Sequence, residues 1–471
     1  MIVALVGSLL SGCAKEKPIL DELGEDGTGK LRVMYYGEDQ FYRDYGGYFG
    51  IEYQNIEIEV VDMQSMYAQT ETDGVLYDPK KTLIDFIEKE KPDIIMTEVN
   101  MMEELIAKGK LYNLDPLIQQ EKYDLSGMLP GLIDMLRAKG NDGLYGLTPS
   151  FYTKVIFYNA DLFKQHNIEL PRNQMSWKEV LELGARFGQI GSGDDQHYGI
   201  SNQGNTAANM MMEIAESSNL QLLDARGENV LIDSPAWRDA FNMLVNAINS
   251  NSIQVVKPTA DGSYSYSSDD SAFMKGKAAM SMDSTWMINQ MQYMGRWNPD
   301  IKPFDWQMIT MPVDPNFPDE SNYVSTYQVY AINQDAENKR AAWEFLKFIH
   351  GDKMAKATSK VMDGQLPTRV TYLKEIAGKN AEALTILKPK ANQTNFYQSM
   401  TDNKIPYDFY PVVNQGIQKA IDELLAGKSS DEVLVPLQKE LQEKLIEAKK
   451  NAQNAENAQN ADGVTSTESN G

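Results

Sequence analysis

Residues 78–97 read "DPKKTLIDFIEKEKPDIIMT". The spacing of apolar residues over 78–91 predicts an amphipathic helix, and Pro92 opens a short β-prone run at 92–97. A helix handed straight to a strand is half of a crossover unit. Upstream, "LRVMYYG" at 31–37 and "IEIEVVDM" at 56–63 read as strands, and downstream "MMEELIAKGK" at 101–110 reads as a helix. The alternation predicts an α/β fold with a largely parallel sheet, in which ligands meet the carboxyl ends of strands. Those ends carry Tyr36, Glu38 and Asp39, then Ser65 and Met66, then Thr97, Glu98 and Asn100. A binding crevice and solvated loops share this composition.

The chain has 471 residues, more than one core usually supports, so two or three domains are expected. Charged residues make up 24% and hydrophobic ones 42%, enough to build those cores. A formal net charge of -23 argues against nucleic acid or an anionic bilayer surface as a partner. Cys13 is the one cysteine, which excludes an internal disulfide. It ends the apolar run "MIVALVGSLLSGC", which resembles the lipobox of a bacterial lipoprotein, where the cysteine is lipidated and becomes the first mature residue. No Lys or Arg precedes the run, so we read it as the end of a signal peptide (1–13) whose charged start lies upstream. The stretch is too short to span a bilayer. Residues 14–27 have the charge, Pro and Gly content of a polar tether.

Within that tether "GEDGTGK" at 24–30 has the glycine and lysine spacing of a phosphate-binding loop, but Leu31 stands where a Ser or Thr should bind magnesium. It also precedes a strand instead of following one, so it is not read as a nucleotide site. The three histidines, His166, His197 and His350, lack metal-ligand spacing. "GISNQG" at 199–204 falls short of a nucleophile elbow at Gln203. No catalytic residue, metal or cofactor is expected. A glycoside hydrolase is the rival reading, because it too needs aromatics and acids in a cleft. A carbohydrate-binding surface lipoprotein is another.

Further along, "LYGLTPSFYTKVIFYNADLF" at 144–163 contains a strand at 155–158, with Asn159-Ala160-Asp161 placed to cap the next helix. Phe151 and Tyr152 stand ahead of that strand, beside Pro149. In "MSWKEVLELGARFGQI", Ser176 and Glu179 have capping-box spacing. Helices are expected near 207–216 and 235–250, and a helix, a turn at 275–277 and a strand at 278–282 within 269–291. Strands then follow at "WQMITMP" and "STYQVYAIN", and a helix over 335–351 with Ala342, Phe345 and Ile349 on one stripe. The last helix carries Leu434, Leu437, Leu441 and Leu445 on one face. From Asn451, Asn, Ala and Gln repeat almost without large apolar residues, which predicts disorder.

Four segments, "GLYGLTPSFYTKVIFYNADLFKQHNIELPRNQMSWKEVLELGARF", "SAFMKGKAAMSMDSTWM", "YAINQDAENKRAAWEFLKFIHG" and "GQLPTRVTYL", come in the order of the signature segments of family 1 extracellular solute-binding proteins, which the chain resembles over about 30–445. These are receptors of bacterial ABC importers, many of them sugar receptors similar to maltose-binding protein. The resemblance implies two α/β lobes with the ligand in the cleft between them: 28–147 with 314–351, and 148–313 with 352–448, followed by a tail at 449–471. It puts Phe151 and Tyr152 at the cleft edge. It also implies that Trp286, in "DSTWM", stacks on a sugar, and that Tyr410 faces the cleft. Glu38, Asp39, Glu98, Asn100 and Asp283 would supply hydrogen bonds to hydroxyls. Core packing is the competing role for each aromatic. The implied protein is a monomeric, non-enzymatic receptor, lipid-anchored on the outer face of the bacterial membrane, that passes a mono- or oligosaccharide to ABC permease subunits.

Overall fold

A computed structural model of the chain describes residues 17–68, 79–202, 205–256, 271–296, 301–361, 364–390 and 396–467. Cys13 and its lipobox, and Gln203, lie outside the described residues. Among the described residues no helix is long and apolar enough to cross a membrane. The chain divides into two compact units. One holds the described residues up to Gly127 with Leu136–Pro149 and Gln328–Met354; the other holds Met128–Met135 and the described residues of Ser150–Tyr327 and from Ala355 onward.

The first unit is built on a four-stranded sheet. Strand Gly29–Tyr35 runs parallel to Ile56–Asp62 on one side and to Ile94–Glu98 on the other, with Val33 opposite Val60 and Ile94. Gln328–Ile332 closes the sheet antiparallel to Ile94–Glu98. The helix-to-strand unit is present: helix Pro79–Glu90 buries Leu83, Phe86 and Ile87, and a strand follows at once. Between them Asp93 is 1% exposed. Its carboxylate accepts from the Arg32 N–H at 2.9 Å and from the Asn338 N–H and Nδ2 at 3.0 Å each. A buried charge is tolerable only when its lone pairs are filled, so Asp93 pins two strands and the approach to helix Lys339–Ile349 in one geometry. That helix buries Ala342, Phe345 and Ile349 as its spacing predicts.

On its polar side Glu121 accepts from Arg340 at 2.6 Å and Lys347 at 2.7 Å, while Glu344 accepts from both and from the Tyr53 hydroxyl. Burial raises the Glu121 carboxyl, but the hydrogen bonds from Lys347 and Arg340 outweigh it and hold the group below its ordinary value. Residues 17–27, expected as a free tether, instead lie along this unit. Leu20 is buried, the Ile19 N–H donates to Gln120 Oε1 at 2.9 Å, and Arg340 reaches the Asp21 carbonyl. Pro18-Ile19-Leu20 supplies the apolar surface that a charge count overlooks.

The second unit has a five-stranded mixed sheet, in the order Ile253–Gln254, Tyr198–Ser201, Ala278–Ser284, Lys154–Asn159, Trp306–Thr310. Asn159 caps the next helix by accepting from the Leu162 N–H, and Ser176 and Glu179 form the expected capping box. Helix Trp177–Gly188 lies so close to the sheet that a Cβ on Gly199 would stand 2.3 Å from the Gly184 Cα. Helices Ala207–Ser217, Pro235–Asn249 and Phe409–Leu425 join the core, with the Leu434, Leu437, Leu441 and Leu445 stripe buried beside them.

Four expectations are corrected here. The segment at 271–276 is a hydrogen-bonded turn and not a helix, closed by Lys277 N–H to the Ala272 carbonyl. Residues 314–327 pack with the second unit, through Asn219 to Asp314 and a two-way backbone bridge between Tyr152 and Ser325. The helix that begins at Ser430 continues to Thr467, where disorder was expected. Ala and Gln are good helix formers, and no Gly or Pro interrupts 451–462, so local propensity carries the helix beyond the buried face. Phe151, expected at a ligand, is wholly buried in a short strand paired with Leu366–Pro367.

Two outcomes follow from this packing. Phe151→Ala should cost about 3–5 kcal/mol in denaturant unfolding, as a filled core site does, because the side chain is wholly buried. Glu121→Gln should lower stability by roughly 1–3 kcal/mol at neutral pH. Because folding depresses the Glu121 pKa, that difference should be full above its unfolded pKa and vanish as pH falls through the folded one, which unfolding midpoints across an acid series would measure.

Candidate functional site

In the first unit the carboxyl ends of the three parallel strands gather the predicted polar residues. Tyr36 follows the central strand, half-buried, with its hydroxyl accepting from Gln328 Nε2 at 3.4 Å and its carbonyl accepting from Gln64 at 2.9 Å. Glu38 and Asp39 open the short helix Glu38–Phe41 and are exposed. Glu98 ends its strand and Asn100 sits in the next turn, both exposed. Thr97 differs: it is buried, and its hydroxyl has no partner. Ligand contact at Thr97 would need a group that reaches it through its neighbours.

The second unit holds a pocket of about 350 Å³, lined chiefly by Tyr152, Lys154, Glu213, Glu216, Ser284 and Tyr323. Three local choices of the chain build it. Strand Lys154–Asn159 starts at the pocket, with Lys154 in register with Ser284. Thr206 caps helix Ala207–Ser217 by accepting from the Asn209 N–H, which sets the turn that brings Glu213 and Glu216 to one face, three residues apart. The segment 322–325 forms the remaining wall, with Asn322 Nδ2 donating to the Glu216 carbonyl at 2.6 Å and Ser325 bridged to Tyr152.

Charge in the pocket is unevenly matched. Lys154 Nζ donates to Glu213 Oε1 at 2.7 Å and lies 5.7 Å from the centre of the Tyr323 ring. Asn205 Nδ2 adds a longer bond to Glu213 at 3.4 Å. Glu216 forms no ion pair among the described residues. Burial pushes its carboxyl above the ordinary value, opposed by the Phe396 N–H and the charge of Lys154 and assisted by the charge of Glu213. The Tyr323 hydroxyl is buried next to the Ser217 hydroxyl and forms no hydrogen bond of good geometry. Its neighbour Ser217 is committed elsewhere, accepting from Trp177 Nε1 at 2.5 Å and donating to the Glu213 carbonyl at 2.7 Å. Burial holds the Tyr323 phenol well above its usual range, so it stays protonated.

The other predicted residues of this unit fall around the pocket's strands and helices. Tyr152 lines it directly. Asp283 is the neighbour of Ser284 on its strand; burial raises its carboxyl, while the Ser284 N–H at 2.7 Å favours the charged form. Trp286 is 54% exposed. Its ring rests on Gly364, where a Cβ would stand 2.3 Å from Trp286 Nε1 and φ is +87°, so only glycine fits under the indole. Tyr410 is partly buried in a run of stacked rings: Phe396 at 5.9 Å, Tyr397 at 4.5 Å and Tyr407 at 6.3 Å between centroids. Tyr397 and Tyr407 also share a hydroxyl–hydroxyl bond of 2.9 Å.

Lys154, Glu213, Glu216 and Tyr323 were not predicted as site residues. One signal was available, two glutamates three residues apart in the otherwise apolar "NMMMEIAES". Nothing local marks Tyr323, which reaches the pocket on a chain segment more than a hundred residues from the two glutamates. Among the described residues no three His, Cys, Asp or Glu side chains cluster as metal ligands.

Solved structures share this fold. An extracellular solute-binding protein of family 1 from Alicyclobacillus acidocaldarius aligns at 13% identity with a TM-score of 0.63, over 90% of this chain and 99% of its own. A sugar transporter from Rhizobium etli in an open conformation aligns at 17% and 0.59, over 88% and 98%. The sugar-binding protein MalE from Xanthomonas citri aligns at 16% and 0.58, over 89% and 98%. At these identities the likeness is one of fold, a two-lobed α/β architecture with each sheet flanked by helices, as the sequence implied. The profile of the bacterial extracellular solute-binding proteins matches residues 38–356, well over half of the chain, and the protein belongs to that family.

Proposed function

We propose that this protein is the carbohydrate receptor of a bacterial ABC importer, lipid-anchored at Cys13 outside the cytoplasmic membrane, which hands its solute to permease subunits without chemical change. The observation that carries the reading is the second unit's pocket, whose lining joins the side chains of Tyr152 and Tyr323 to the polar groups of Lys154, Glu213, Glu216 and Ser284. Sugars need both: C–H faces pack on rings, and hydroxyls need carboxylates, amides and phenols. Relatives of the same fold described as sugar-binding agree with it. Tyr152 and Asp283, with Trp286 and Tyr410, are the proposed contacts in this unit; Tyr36, Glu38, Asp39, Glu98 and Asn100 are those proposed in the first. Binding is favoured over hydrolysis because Glu213 and Glu216 leave one helix face together and Glu213 is already paired with Lys154, so neither is set as an acid opposite a base.

A panel of mono- and oligosaccharides should contain a ligand that raises the melting temperature, a solute at a hundred times its dissociation constant adding about 2.7 kcal/mol. The sugar should be recovered intact after incubation; hydrolysis products would refute the receptor reading. Trp286→Ala and Tyr410→Ala should each weaken that sugar by about 0.5–1.5 kcal/mol, up to roughly tenfold, while the unliganded melting temperature changes little for the exposed Trp286. Cys13→Ser, made with the complete leader, should move the protein from the membrane fraction to the medium or periplasm, since each buried methylene of a lipid chain contributes about 0.8 kcal/mol.

A further inference from the structure

The pocket of the second unit already recognises one ammonium group, its own. Lys154 Nζ sits on the Glu213 carboxylate at 2.7 Å and over the Tyr323 ring at 5.7 Å. Three residues along the same helix, Glu216 lines the same pocket and has no salt-bridge partner among the described residues. Two carboxylates thus face one cation. The Tyr323 hydroxyl, buried beside them next to the Ser217 hydroxyl, forms no hydrogen bond of good geometry.

We propose that the solute carries an amino group, held as an ammonium ion by Glu216 and the Tyr323 hydroxyl, so that the receptor takes an amine-bearing sugar in preference to a neutral one. This rests on the receptor reading above and narrows its substrate class. An ammonium has three N–H donors and no acceptor, and the pocket has acceptors left over: the Glu216 carboxylate, which takes one N–H from Phe396, and the buried Tyr323 oxygen, which a solute reaches by displacing its neighbours. A sugar hydroxyl could fill one of those positions but would leave two carboxylates sharing the single charge of Lys154, and a partly compensated buried charge is costly. Phe396 also stacks on Tyr410, which links the residue that donates to Glu216 to the rings of Tyr397, Tyr407 and Tyr410. Burial raises the Glu216 carboxyl, and the Phe396 N–H and the charge of Lys154 offset this only in part, as in a site where two acids share one cation.

The test is calorimetric titration of the full chain with four probes: a β-1,4 glucosamine trimer, its N-acetylated counterpart, maltotriose and spermidine. The glucosamine trimer should bind at least about tenfold more tightly than the N-acetylated one. Glu216→Gln should erase that preference without lowering the unliganded melting temperature, and Tyr323→Phe should reduce it. Equal or tighter binding of a neutral trimer, or a preference that survives Glu216→Gln in a folded variant, would overturn the amine assignment and leave the sugar-receptor reading standing. Glu216-dependent binding of spermidine with no response to any saccharide would do the reverse. Failure of both amine-bearing probes to bind would also overturn the assignment.

Discussion

The Lys154–Glu213 ion pair joins the first long strand of the second unit to helix Ala207–Ser217, and the pocket exists only in that relation. The strand is held between Ala278–Ser284 and Trp306–Thr310, so its register cannot slip without turning Lys154 to the other face of the sheet. The helix is held by its Thr206 cap and by Met210, Met211 and Ile214 in the core. Two rigid elements therefore bring one lysine and two glutamates together, and what remains unmatched is charge. A protein with no use for that imbalance would gain by replacing Glu216 with an apolar or neutral residue. Its presence beside the buried Tyr323 phenol is the physical reason to look for a ligand here.

The first unit applies the same principle to a structural end. Asp93 is buried more deeply than Glu216, yet each of its needs is met by N–H groups from Arg32 and Asn338. Glu121 is likewise satisfied, by Arg340 and Lys347. A buried acid with filled lone pairs holds a fold together, and one without a cation marks a place where something can bind. The polar residues at the strand ends, Glu38, Asp39, Glu98 and Asn100, are of neither kind, being exposed and free to turn toward a solute.

How much of this was legible in the sequence depends on the range of each interaction. Local signals read correctly: the helix–strand alternation of 78–97, the Asn159 cap, the Ser176–Glu179 box and the leucine stripe of the last helix all involve residues within a few positions of one another. Local chemistry also misled. The charged 17–27 segment hides Leu20 against the first unit, and the Asn-Ala-Gln repeat has more helical propensity than its lack of apolar surface suggested. Phe151 and Tyr152 are adjacent, yet strand alternation buries one and opens the other to the pocket, a distinction set by pairing with Leu366 that no local pattern displays. The pocket itself combines segments near 153, 215, 284 and 323, so its charge imbalance is a tertiary fact.

The most direct measurement is a crystal structure of the protein grown with the saccharide that gives the largest thermal stabilisation. The account predicts solute density in the second unit's pocket, within hydrogen-bond distance of Glu216 and the Tyr323 hydroxyl, with the Lys154–Glu213 pair retained. Solute bound elsewhere, with that pocket holding only water, would contradict it.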